Sequence, residues 1–101
     1  MKKTFSLVHP KLHVDRVSDA AKNEIKKYFK RERKKTLPDD VDFWDFDCKF
    51  GNTEAEAKTV FPSEINKAID AAVAEKLESF YVEVMAKTGY FEGKLDFDED
   101  E

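Results

Sequence analysis

Between Asp42 and Phe50 the chain alternates without interruption. Trp44, Phe46, Cys48 and Phe50 fall on one side of an extended backbone, and Phe43, Asp45, Asp47 and Lys49 on the other. That period of two belongs to a half-buried strand. A different period precedes it: Val17, Ala21, Ile25, Tyr28 and Phe29 recur at three and four residues. This spacing predicts a helix from about Arg16 to Lys35, with Asp15 or Ser18 as its N-cap. Leu37-Pro38 ends it, because the residue before a proline is pushed out of the helical region, and Asp39-Asp40 supplies turn chemistry. Upstream, Thr4–Val8 reads as a short strand closed by His9-Pro10. Downstream, Gly51-Asn52 opens a turn from which Ala57–Phe61 can return as a short partner strand. The most regular helical stripe is Ile65, Ala68, Ile69, Ala72, Val73 and Leu77, with Ser63 as its cap. Ser79–Ala86 alternates again, with Phe80, Val82 and Val84 inward and Tyr81, Glu83 and Met85 outward.

In chain order these elements read β-α-β-β-α-β, the ferredoxin-like split arrangement of the α+β class. Right-handed crossovers would set both helices on one face of a four-stranded antiparallel sheet and leave the other face open. In that plan the strand at 42–50 and the strand at 79–86 form the two opposite edges. The core draws on Trp44, Phe46, Phe50, Ile65, Ile69, Phe80 and Val82. Residues 1–89 make one domain. Residues 90–101, with six carboxylates and no periodic apolar face, are expected to form a disordered acidic tail.

Composition supports one domain: 101 residues, 41% hydrophobic with nine Phe, carry enough apolar surface for a core without disulfides. No apolar run is long enough to span a membrane, and the opening MKKTFSLVHP lacks the apolar region of a secretory signal. The single cysteine, Cys48, cannot form an internal disulfide and suits a reducing compartment, so a cytoplasmic location is expected. The net charge of −4 hides a division. Residues 1–35 carry twelve Lys/Arg against four Asp/Glu, and residues 36–101 carry six against eighteen. Such asymmetry points to an anionic partner for the first part, or to one part neutralising the other.

Candidate chemistry is sparse. Asp45 and Asp47 share a strand face roughly 6–7 Å apart, but a hard cation needs six or more oxygens. Glu83 faces the same side and, on the opposite edge, would stand three strand spacings or roughly 14 Å away. Charges there are read as the wet side of an edge strand. His9 and His13 are separated by Pro10, and Cys48 alternates with core aromatics, so the three make no zinc constellation. No serine sits in a nucleophile elbow, and three glycines make no phosphate-cradling loop. No catalysis, cofactor or metal is expected.

The distinctive feature is KKYFKRERKK, in which Lys26, Lys27, Lys30, Arg31, Arg33, Lys34 and Lys35 surround one Glu32. A helix C-terminus favours two or three cations through its dipole, but not seven. Clustered Lys/Arg on one helix are the electrostatic footprint of a phosphate-contacting surface, so RNA or another polyanion is the expected partner. The acidic tail folding back on this run is a further possibility. TFSLV and AKTVFP lack the aromatic-and-glycine signature of RNA-recognition sheets, and Phe43 and Tyr81 are placed on edge strands. The overall acidic balance counts against indiscriminate nucleic-acid affinity. The alternative is a protein-interaction or self-association module using the exposed edges and the open face.

Taken together, KRERKKTLP, VDFWDFDCKFG, EINKAIDAA and LESFYVEV resemble a small bacterial family known as a domain of unknown function. WDFDCKFG is the most specific part, and the resemblance runs to about Ala86, leaving the acidic tail outside. It implies a stand-alone, bacterial, cytoplasmic protein and carries no catalytic residue over.

Overall fold

The computed structural model describes residues 1–90. Along them run β1 (Lys2–Ser6), α1 (Val14–Arg33), β2 (Phe43–Gly51), β3 (Lys58–Val60), α2 (Ile65–Ala74) and β4 (Ser79–Gly89). The order is the split β-α-β-β-α-β of an α+β domain, with one antiparallel four-stranded sheet. Both helices pack on one sheet face and against each other.

The sheet runs β1-β4-β2-β3. This corrects the expected placement of β2 and β4, which form the central pair, with β1 and β3 at the edges. Right-handed crossovers on one face permit either order, since in both each crossover skips a single strand. The two orders differ in which arm of the β2–β3 hairpin lies inside. Length decides it. β2 has nine residues and β4 eleven, against five in β1 and three in β3. The long strands pair from Phe43↔Gly89 to Gly51↔Tyr81, which satisfies their backbones along their full overlap. A three-residue β3 could not do the same from the middle, and short strands at the rim limit exposed edge.

Phe80, Val82 and Val84 of β4 are wholly buried, and Phe46 and Cys48 of β2 lie beside them under Ile25, Phe29, Ile65 and Ile69. The Phe80 ring stacks between Phe5 at 5.3 Å and Phe50 at 5.2 Å. Phe29 meets Phe46 edge-on at 4.7 Å, tying α1 to the sheet. Each such burial contributes roughly 1.5–3 kcal/mol. Trp44 and Phe50 are half-buried and flank the core rather than filling it. For Trp44 the reason is polar. Its indole N–H needs an acceptor and donates to the Lys35 carbonyl at 2.9 Å, at the end of α1.

The element ends hold three further corrections. The N-cap of α1 is His13, whose Nδ1 accepts the Asp15 N–H at 3.2 Å, as an Asp or Ser oxygen would. Asp15 lies in the first turn, and the Ser18 hydroxyl donates back to its carbonyl at 3.0 Å. α2 is entered through a 3₁₀ turn, Pro62–Glu64, with the Glu64 carboxylate accepting the Phe61 N–H at 3.0 Å, so Ser63 is not the cap. α2 stops before Leu77 because Lys76 turns left-handed at φ 59°, and the Leu77 N–H reaches the Ala72 carbonyl. That closure lets Leu77 fold onto the core from outside the helix.

Candidate polyanion-binding groove

α1 is twenty residues long, so side chains four apart stand roughly 6 Å from one another along its axis. Ile25 and Phe29 point to the sheet. That orientation turns Lys22, Lys26, Lys30 and Arg33, with Lys34 beside them, toward a groove running between α1 and the start of α2. The groove has a volume of about 880 Å³. Its apolar floor is Ile25, Phe29, Ile65 and Pro62, and its far wall carries Ser63 and Asn66.

The groove is electrostatically uneven. At its upper end Lys22 is held by Asp70 at 2.5 Å, and Asp19 lies close by. At its lower end Lys26, Lys30 and Lys34 are exposed and, among the described residues, have no carboxylate partner. The Arg33 guanidinium lies 5.4 Å from the ring centres of both Phe29 and Phe46, which fixes it at the groove's mouth. The Trp44 bond to the Lys35 carbonyl pins this same end of α1 to the sheet.

Of the seven basic residues, four therefore line one groove: Lys26, Lys30, Arg33 and Lys34. The other three do not join them. Arg31 lies over the Tyr28 ring at 5.2 Å and near Glu32, and Lys35 binds Glu32 at 2.9 Å. Lys27 is exposed on a different face of the helix. Lys22, Ser63 and Asn66 escaped the sequence reading. Lys22 was detectable, because it continues the 26–30–34 spacing by four toward the N-terminus. Ser63 and Asn66 come from another element and carried no such signal.

The open sheet face is organised differently. Lys87 on β4 binds Asp47 at 2.7 Å and approaches Asp45 at 3.9 Å, and the Asp47 bond foremost pushes its pKa up. Asp45 also accepts the Phe46 N–H at 2.8 Å. Glu83, expected on a distant edge, instead sits on the neighbouring strand directly across from Lys49 and accepts the Tyr81 hydroxyl at 2.9 Å. Tyr81 itself is buried on a central strand, and desolvation first, then the Glu83 carboxylate, push its pKa up to about 12. Phe43 also lies on a central strand, packed over Gly89. Two aromatics thus occupy the central pair after all, but among carboxylates.

The soft ligands stay apart. His9 Nδ1 accepts the N–H groups of Lys11 and Leu12 at 3.0 Å, and His13 Nδ1 caps α1. Cys48 is buried, and desolvation, with Asp47 and Asp45 behind it, raises its thiol pKa to about 11. It packs in the core as a small hydrophobe. Among the described residues no three His, Cys, Asp or Glu side chains converge as metal ligands, and no helix is long and apolar enough to cross a membrane. The expected acidic tail lies almost wholly outside the described residues, and so does its expected contact with Lys26–Lys35.

Fold and site together define a small α+β domain with a cation-lined groove between its two helices. The chain belongs to a family of unknown function, DUF6172, whose model matches residues 1–94 and so extends past Ala86 into the acidic segment. No curated protein matches the chain, and no solved structure does.

Proposed function

We propose that this protein is a non-catalytic binding module of the bacterial cytoplasm that contacts RNA or another polyanion through the basic end of α1. One observation carries the reading: Lys26, Lys30 and Lys34 share a groove with Arg33 and meet no carboxylate among the described residues. Like charges held together without counter-charges raise the energy of the unbound state, and a polyanion relieves it. Counterion release then drives association, so affinity falls steeply with salt. A salt titration of labelled RNA against the protein tests this. Four phosphate contacts predict a slope of roughly −3 in log K against log salt, at about 0.7 per contact for single strands. A flat, uniformly weak response would reduce the basic run to a solvated helix end.

Self-association is the competing reading, and one feature favours it. β3 pairs with Cys48–Phe50, and among the described residues the Trp44–Asp47 length of β2 has no strand on that side. Asp45 works against it, since its carboxylate already occupies the Phe46 N–H and places a charge on that edge. A mass that rises with concentration in light scattering would favour self-association.

A further inference from the structure

Resting on that reading, we infer that the α1–α2 groove takes single-stranded RNA, with phosphates along the lysine wall and a base stacked on Phe61 at its entry. Duplex RNA is excluded by shape. The groove lies between two packed helices, whose axes in such pairs stand only about 8–10 Å apart, so a double helix could touch its rim but not enter. An extended strand fits such a trough. The cations at 26, 30 and 34 repeat at roughly 6 Å along one wall, a spacing comparable with successive phosphates of an extended strand.

Phe61 argues for bases rather than for phosphate alone. An exposed aromatic ring beside a cationic track is what single-strand sites share, because every base has a face to lay on it. Asn66 and Ser63 on the far wall are exposed and, among the described residues, make no side-chain hydrogen bond. They stand where an amide and a hydroxyl could meet base edges. Phe61 precedes this wall and is 72% exposed, a ring open to stacking next to the groove's entry. An acidic peptide offers carboxylates to the lysines but no base to the Phe61 ring.

The upper end also matters. Asp19 and the Lys22–Asp70 pair close the cationic track at one end, so a strand runs from the Lys34 end and stops near Lys26.

The test is fluorescence anisotropy with three labelled probes: a short single-stranded RNA, the same sequence as duplex, and poly-glutamate. Single strand should bind at least about tenfold more tightly than duplex, with poly-glutamate weakest. K26Q/K30Q should lower the single-strand salt slope by about 1.4, two contacts at roughly 0.7 each. F61A should weaken single-strand binding several-fold and leave the slope unchanged, since stacking releases no counterions. N66A should weaken single-strand binding relative to poly-glutamate, again at constant slope. All four substitutions are at exposed positions, and circular dichroism checks that each variant is folded. Equal binding of duplex and single strand, both dependent on Lys26 and Lys30, overturns this inference and leaves the polyanion reading standing. Equal binding of poly-glutamate overturns base recognition in the same way. Loss of binding to every probe overturns both.

Discussion

The helix groove and the open sheet face both carry charged side chains and use them in opposite ways. On the sheet face Lys87 is paired across the strands, binding Asp47 and approaching Asp45. In the groove Lys26, Lys30 and Lys34 are left with solvent alone among the described residues. The cause is geometric. Adjacent antiparallel strands bring residues from distant parts of the sequence opposite one another, so opposite charges pair across the ladder. A helix surface sets each residue beside those three and four away, and here those neighbours are again basic. Counting charges locates neither region; only the partners distinguish a neutralised surface from an available one.

The two faces share one layer, and breaking it should remove both. Phe80 is wholly buried between Phe5 and Phe50, so Phe80→Ala should cost on the order of 3–5 kcal/mol in denaturant unfolding. A loss under 1 kcal/mol would mean the sheet is not the common support. Trp44→Ala should cost less, about 2 kcal/mol, because Trp44 is only half-buried and gives up one hydrogen bond with its packing. Its effect should be one-sided. Hydrogen exchange should rise at the last turn of α1 and stay unchanged across the β2–β4 register.

Alkaline pH separates the core from both faces. The Cys48 thiol ionises at about 11 in the fold, against 9.0 ordinarily. A raised pKa favours the folded state while the group is protonated. Stability is thus fully present below pH 9 and is lost as pH rises toward 11. Cys48→Ala should remove that part of the fall, leaving the part due to Tyr81 between its ordinary 10.0 and about 12. Thiol reagents at pH 8 should react with Cys48 only at the rate of unfolding.

The smallest effect should come from the sheet-face charges. Asp45→Asn/Asp47→Asn removes exposed ion pairs and should shift stability by less than about 1 kcal/mol. It should also leave RNA binding within about twofold. Millimolar Mg²⁺, Ca²⁺ or Zn²⁺ should not raise the Tm of the parent protein. A rise of several degrees, abolished by the double substitution, would recast this face as a metal site.

Local periodicity was sufficient to reveal the element order, the inward residues of β2 and β4, and the burial of Cys48. Period two and period 3.6 are properties of neighbouring residues and are written directly in the chain. The alternation at Phe43–Phe50 and the stripe at Ile65–Val73 needed nothing further. Strand order was not written there, because right-handed crossovers allow either hairpin arm to lie inside and the choice depends on which pairing satisfies most backbone. The misplacement of Glu83 and Tyr81 follows from that one point. Caps also depended on three dimensions: His13 works as a cap through the placement of a ring nitrogen, not through residue type. The groove belongs half to each category. Its lysine wall follows from spacing along α1, legible even at Lys22. Its floor and its Ser63–Asn66 wall exist only because α2 packs across α1, bringing together residues that are some forty positions apart in the chain.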